Sequence, residues 1–163
     1  MFCEGKSEEQ YLCYLRSNYK FPIDVKIVES SISEKFIQNY KKNKPGHEKD
    51  KNYLMFDLDV NVVLSNLQKI KNADLITSNP CFEFWYLLHY QEHHAQLSSE
   101  ECKRKLLSHH KNYKKGTFDS RLKEHLSDKQ QKAIHRAEKL NKHDNPSTLV
   151  YQIINDIEAY RNT

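Results

Sequence analysis

Two aspartates one residue apart, Asp57 and Asp59, are the first side chains in this sequence that suggest chemistry. They follow residues 53–56, an apolar run that predicts a buried strand. Alternate side chains of an extended strand share a face, so both carboxylates can approach one ion. Burying them is costly unless a cation neutralises them, and Mg²⁺ or Mn²⁺ prefers oxygen ligands. The pair therefore predicts a divalent-metal site; the alternative is a pair of loop aspartates that cap the next helix.

Two glutamates come soon after other predicted strands in the sequence. Glu4 follows a short strand at residues 1–3, and Glu83 comes soon after a strand at residues 73–77. If the sheet is parallel, the carboxyl ends of these strands share one edge, where α/β folds place their ligands. A carboxylate cluster there suits one or two Mg²⁺ or Mn²⁺ ions that polarise a phosphate and position water. For Glu83, in the first turn of a helix, a favourable interaction with the helix dipole is the alternative.

The elements that must position these residues indicate an α/β fold. Strands at residues 1–3, 24–29, 53–56 and 73–77 alternate with amphipathic helices up to residue 90. This order predicts a mostly parallel four-stranded sheet flanked by helices.

Two helix starts stand close to the candidate residues. Ser7, with Gln10 three residues later, predicts a capping box at the start of the first helix. Asn79 and Pro80 predict the cap and first position of a helix over residues 81–90, which is apolar around most of its circumference and must be buried.

The remaining chain is predicted to be helical and basic. We expect one domain over residues 1–163, with an α/β sheet core at 1–90 and a helical extension at 91–163 packed on it. Residues 103–142 hold 13 basic and 4 acidic side chains, a balance of +9, whereas residues 1–102 have a balance of −3. A lysine-rich surface of this kind binds phosphate backbones, which predicts a nucleic-acid partner; the alternative is an ordinary solvated helical face.

Cysteine usage and hydropathy predict a soluble cytoplasmic protein without a membrane partner. No apolar run approaches the roughly 20 residues that span a bilayer, and no signal peptide precedes Glu4. No Cys-x-x-Cys pair is present, so neither a structural zinc site nor a disulfide framework is indicated. The four cysteines are Cys3, Cys13, Cys81 and Cys102.

Several of these motifs together resemble the RloB family. They are the Glu-Gly turn at residues 4–5, the Asp-Leu-Asp at 57–59 and, most specifically, the Asn-Pro-Cys-Phe-Glu run at 79–83 with its continuation to residue 89. The resemblance extends through Tyr-Lys-Lys at 113–115 and Asn-Pro-Ser-Thr at 145–148, and so covers nearly the whole chain. RloB proteins resemble Toprim-fold nucleases and are associated with restriction and phage-defence loci.

The resemblance implies roles for single residues. The Toprim likeness implies that Glu4 acts as general acid or base and that Asp57 and Asp59 hold the metal. The RloB likeness adds Glu83, together with His89, to the same pocket. Similar proteins carry several more apolar residues ahead of the first glutamate, so we expect a short first strand and a loosely held Glu4.

The basic loop at residues 109–118 adds two candidates. Lys114 and Lys115 are expected to contact phosphate or to stabilise charge in the transition state; the alternative is that both are simply solvated. His89 and His93 lie four residues apart, which permits a helical zinc site, but no third ligand arrives at a convincing spacing. The alternative for His89 is a hydrogen-bonded residue of the core or of the pocket wall.

Together these features predict a metal-dependent endonuclease that hydrolyses phosphodiester bonds in anti-phage defence. RNA is preferred over DNA by fold-level analogy. Because no ATPase motif is present, we expect a separate sensor protein of the defence system as a partner, and a homo-oligomer is possible. One alternative is a non-catalytic module that binds nucleic acid or a partner through residues 103–142. Another is a haloacid-dehalogenase-like phosphatase, since residues 56–59 resemble the start of its motif, although that motif usually ends the first strand.

Overall fold

A five-stranded sheet forms the centre of the protein in a computed structural model that describes residues 1–29, 31–47, 49–59 and 61–162. The strands are β1 (Phe2–Cys3), β2 (Lys26–Ile27), β3 (Tyr53–Asp57), β4 (Asp74–Asn79) and β5 (Ser147–Thr148). They lie in the sheet in the order β2-β1-β3-β4-β5. The strands β1 to β4 pair in parallel, and β5 pairs antiparallel with β4.

Helices cover both faces of the sheet. Successive side chains of a strand alternate between faces, and in β3 Met55 packs with one core cluster while Leu54 and Phe56 pack with the other. The helices of the described residues are α1 (Lys6–Tyr19), α2 (Glu34–Lys41), α3 (Asn61–Leu67), α4 (Glu83–Tyr90), α5 (Ser99–His109), α6 (Ser120–Glu138) and α7 (Tyr151–Arg161). The cluster that contains Met55 is covered by α1, α4, α5, α6 and α7, and the cluster that contains Leu54 and Phe56 is covered by α2 and α3.

The α/β fold predicted from the sequence is confirmed, but the prediction of four strands is wrong. The fifth strand comes from the region predicted to be only helical, and it pairs Ser147 with Asn79 and Thr148 with Ser78. A two-residue strand has no periodic pattern by which a sequence could reveal it. The same pairing extends β4 to Asn79, so Asn79 is not a helix cap, and α4 begins at Glu83.

The helix α4 lies at the heart of the helical layer. Every residue from Glu83 to His89 is buried, as its apolar sequence predicted, and α5 and α6 pack against it. A helix enclosed in this way holds its first turn in a fixed position beside the end of β4. Across the described ranges, no helix combines the length and apolar character needed to cross a membrane.

Candidate active site

The ends of β1 and β3 bring Glu4 and Asp57 together. The strands are parallel neighbours, with Cys3 opposite Met55. The Glu4 backbone N–H donates to the Met55 carbonyl oxygen at 3.2 Å, and the Asp57 backbone N–H donates to Glu4 Oε2 at 3.1 Å. Parallel pairing therefore places these two predicted site residues side by side at the carboxyl edge of the sheet.

Asp57 and Asp59 have different environments. Asp57 is the last residue of β3 and is only 7% exposed, whereas Asp59 lies beyond the strand and is exposed. The alternation of side chains that was expected to put both on one face therefore stops at Asp57. Asp59 is close to Asp57 in the sequence, but its side chain is exposed and is not buried with that of Asp57.

Glu83 is completely buried and is held by hydrogen bonds from two other segments. Its Oε1 accepts from the Tyr113 hydroxyl at 3.0 Å and from Ser7 Oγ at 3.4 Å. The hydroxyl of Ser7 also accepts the Gly116 backbone N–H at 3.0 Å. The predicted capping box at Ser7 is wrong, because α1 begins one residue earlier and the side chain of Ser7 is directed to Glu83.

Glu8 is a buried carboxyl group at the site that the sequence analysis did not single out. It lies on the first turn of α1 and is 2% exposed. A Cβ at Gly5 would lie 3.2 Å from Glu8 Oε2, so the missing side chain there leaves room for this carboxyl group. Glu4 precedes α1, so its four-residue distance from Glu8 is not a helical spacing, and no local pattern distinguishes Glu8 from a solvated helix residue.

The carboxyl groups of this edge interact electrostatically. Burial, together with the charges of Glu8, Cys81, Glu4 and Glu83, raises the pKa of Asp57 to about 9. The ionised form of Asp57 is therefore disfavoured in the protein alone, and a nearby cation would favour it.

The pKa of Glu8 is also raised. Burial and the charge of Glu83 raise it, a backbone hydrogen bond and Lys115 lower it, and the net result is a pKa of about 7. A carboxyl group with such a pKa exists in both protonation states near neutral pH, which suits proton transfer.

Lys115 is the basic residue that interacts with the cluster. Burial lowers the pKa of its ammonium group, but the charges of Glu83, Asp57 and Glu8 raise it, and the net change is upward. Lys114 is exposed, and its carbonyl oxygen accepts a hydrogen bond from the Thr117 hydroxyl at 2.6 Å.

Gly116 fixes this basic loop against α1. Its φ of +76° lies in the left-handed region that favours glycine, and a Cβ there would meet Lys6 Cβ at 3.0 Å. The close approach places Tyr113 and Lys115 beside the start of α1, where Ser7 and Glu8 lie.

One protein-family model matches almost all of this chain. The family model for RloB-like protein matches residues 1–157 of the 163. The chain belongs to the RloB-like family. The match includes every candidate site residue described above. Neither the search of curated proteins nor the search of solved structures finds a match.

The RloB likeness implied that His89 joins Glu83 in one pocket, and the structure does not bring the two together. His89 lies six residues after Glu83 on α4, which is about 9 Å along a helix axis. Its Nδ1–H donates to the Trp85 carbonyl oxygen at 2.9 Å. Burial lowers the pKa of His89 to about 3, so this imidazole is neutral.

The described residues contain no group of three or more His, Cys, Asp or Glu side chains that could hold a metal ion. Zinc sites take three or four such ligands, whereas Mg²⁺ keeps several waters and needs only one or two carboxylates. Glu8 Oε2 and Glu83 Oε2 are buried without a hydrogen-bond partner in the same described ranges. One or two oxygens of this kind are what a hydrated Mg²⁺ or Mn²⁺ would use as ligands.

Proposed function

We propose that this RloB-like protein is a metal-dependent endonuclease that hydrolyses phosphodiester bonds, with RNA preferred over DNA, and that it acts in defence against phage. The observation that carries the proposal is the group of four carboxyl groups at the carboxyl edge of the sheet: Glu4, Glu8, Asp57 and Glu83. Three of them are buried, and buried negative charge is costly unless a cation compensates it. The preference for RNA rests on analogy with the family's fold.

The residues of the cluster divide into ligands and a proton carrier. Glu4, Asp57 and Glu83 are the predicted ligands of Mg²⁺ or Mn²⁺, with Asp59 as a predicted further ligand on the exposed rim. Because no three of the described side chains are grouped as a metal site, one or two of these carboxylates would hold an ion that keeps several waters. When bound, the ion supplies a Lewis acid that polarises the phosphate and lowers the pKa of the attacking water. Glu8, whose pKa is about 7, takes the proton from that water.

Basic residues next to the carboxylates would bind the phosphate backbone. Lys115 lies within the electrostatic reach of Glu83, Asp57 and Glu8, where its ammonium group can neutralise a phosphate oxygen in the transition state. Residues 103–142 extend this positive charge along α5 and α6.

The place of Asp57 in the fold favours a nuclease over a haloacid-dehalogenase-like phosphatase. In that phosphatase class the motif with the nucleophilic aspartate usually ends the first strand, whereas Asp57 ends β3. Trapping of an aspartyl phosphate on Asp57 would reverse this preference.

The basic surface alone would also support a non-catalytic nucleic-acid-binding module, and one experiment separates the two functions. The purified protein is incubated with total RNA and with plasmid DNA in Mg²⁺, in Mn²⁺ or in EDTA. We expect fragments of RNA in either metal and none in EDTA. Salt-sensitive binding of both polymers without cleavage in any metal would overturn the nuclease and support the binding module.

A further inference from the structure

A second site lies at the opposite edge of the sheet, where the parallel strands begin. A cavity of about 620 Å³ opens there beside Phe2 of β1 and Tyr53 of β3. Its volume falls within the range of clefts that bind small molecules, roughly 300–1,000 Å³. From Tyr53 to Asp57, the length of β3 separates the cavity from the carboxylate cluster by about 13 Å. A ligand in this cavity would not touch the candidate active site.

One wall of the cavity is aromatic and apolar. The rings of Phe21 and Tyr160 meet edge to face with centroids 5.2 Å apart, and Ile153 and Ile157 of α7 lie beside them. Tyr160 is 57% exposed, which is unusual for an aromatic residue packed against another ring. A flat ring of a ligand could stack here and cover it.

The lining of the cavity is also rich in basic residues. Among the lining residues that the structure describes, three aspartates stand against five basic residues, namely Lys41, Lys44, Lys49, Lys51 and the exposed Arg16. The balance of charge in the lining therefore favours an anionic ligand.

Two of the lysines are held in place by carboxylates. Lys44 Nζ lies 2.7 Å from Asp24 Oδ2, and Lys51 Nζ lies 3.1 Å from Asp156 Oδ1. The Tyr53 hydroxyl donates to the other oxygen of Asp156 at 2.6 Å, which fixes that carboxylate. An ammonium group has three donors. Lys44 Nζ also donates to the Tyr40 hydroxyl at 2.6 Å, so with both contacts made it keeps one donor for a phosphate oxygen, and Lys51 keeps more than one.

We propose that this cavity binds a mononucleotide, with the base against Phe21 and Tyr160 and the phosphate at Lys44 and Lys51. A ring for stacking and an anion for the lysines are the two chemical features that the walls select, and a nucleoside monophosphate carries both. The site is independent of the proposed nuclease activity, because its residues lie at the other edge of the sheet.

Calorimetric titration with AMP and GMP tests the site. Adenosine, which has the ring without the phosphate, and inorganic phosphate, which has the anion without the ring, are the control ligands. All titrations contain EDTA, which prevents metal-bridged binding at the carboxylate edge. We expect at least one nucleotide to bind with a Kd below about 1 mM and at least about tenfold more tightly than adenosine or phosphate. Absence of nucleotide binding, or phosphate binding as tight as that of AMP, would overturn the proposal.

Three variants locate the binding. Tyr160→Ala and Lys44→Gln, both at exposed positions, are expected to weaken nucleotide binding at least about fivefold. Leu107→Ala, an exposed apolar residue of α5, is the matched control and should bind normally. Asp57→Asn should also retain the nucleotide, and loss of binding in Asp57→Asn with normal binding in Tyr160→Ala would assign the nucleotide to the carboxylate edge instead.

Discussion

The backbone N–H of Asp57 donates a hydrogen bond to the carboxylate of Glu4 at 3.1 Å. These residues are far apart in the sequence, and the parallel pairing of β1 with β3 makes them neighbours. The donor is a backbone group, so a substitution of the Asp57 side chain leaves it in place. Side-chain variants at residue 57 can therefore test the charge of Asp57 without removing the contact that positions Glu4.

Removing the charge of Asp57 should stabilise the metal-free protein at alkaline pH. The folded-state pKa of about 9 lies above the unfolded value of about 4, so the folded state holds the proton more tightly. The contribution of protonated Asp57 to the free energy of unfolding is fully present below about pH 4 and is lost as the pH rises towards about 9. In EDTA at pH 8 we expect Asp57→Asn to raise the free energy of unfolding by about 1–3 kcal/mol, measured by urea denaturation. Equal pH dependence in both proteins from pH 5 to pH 9 would contradict this.

Glu8→Gln should abolish the proton transfer assigned to Glu8. The pKa of Glu8 is about 7 without metal, and a cation bound nearby lowers it. The wild-type cleavage rate should therefore rise with pH and level off at or below about pH 7 as Glu8 loses its proton. The variant should be slower by about 10²- to 10⁴-fold and should lack that rise. Rates are measured across pH 5.5–9 in Mg²⁺ beside Glu9→Gln, which changes the next, less buried residue of α1. A profile for Glu8→Gln that keeps the rise near pH 7 would show that another group titrates.

Lys115→Gln should weaken catalysis more than Lys114→Gln. The charges of Glu83, Asp57 and Glu8 raise the pKa of Lys115, so its ammonium group interacts with the carboxylate cluster. We expect kcat/KM to fall about 10- to 100-fold in Lys115→Gln and much less in Lys114→Gln. Lys35→Gln, an exposed change on α2, controls for net charge. Equal losses in all three variants would mean that the lysines act only through overall charge.

Tyr113→Phe should loosen Glu83. The change removes the hydroxyl that donates to Glu83 Oε1 at 3.0 Å and leaves Ser7 Oγ at 3.4 Å as the longer contact. Loss of a hydrogen bond to a buried carboxyl group should lower the free energy of unfolding by about 1–3 kcal/mol. Thermal and urea unfolding are compared with those of Tyr160→Phe, whose ring is exposed. Unchanged stability in Tyr113→Phe would show that this contact does not hold Glu83.

Periodicity in the sequence was enough to predict the elements that bury whole faces. Residues 53–57 form a fully buried strand, and α4 is buried from Glu83 to His89; both stand out in the sequence as largely apolar runs. The parallel order of the strands then predicted that Glu4, Asp57 and Glu83 share one edge.

Features that depend on contacts between distant segments were missed. The strand at Ser147 and Thr148 exists because it pairs with the end of β4, and two residues have no recognisable period. The local sequence around Ser7 indicated a cap, but its hydroxyl bonds Glu83, 76 residues away. Glu8 has the polar character of a solvated helix residue, and only the packing of α1 against the sheet edge buries it.

The most direct test of the proposed metal-dependent cleavage compares the wild-type protein with Asp57→Asn on the same RNA. Both are assayed in Mg²⁺ and in Mn²⁺, after circular dichroism and thermal unfolding have shown that the variant is folded. We predict metal-dependent fragments from the wild type and a loss of at least about 10²-fold in the variant. Equal cleavage by a folded Asp57→Asn would contradict a catalytic role for the carboxylate cluster.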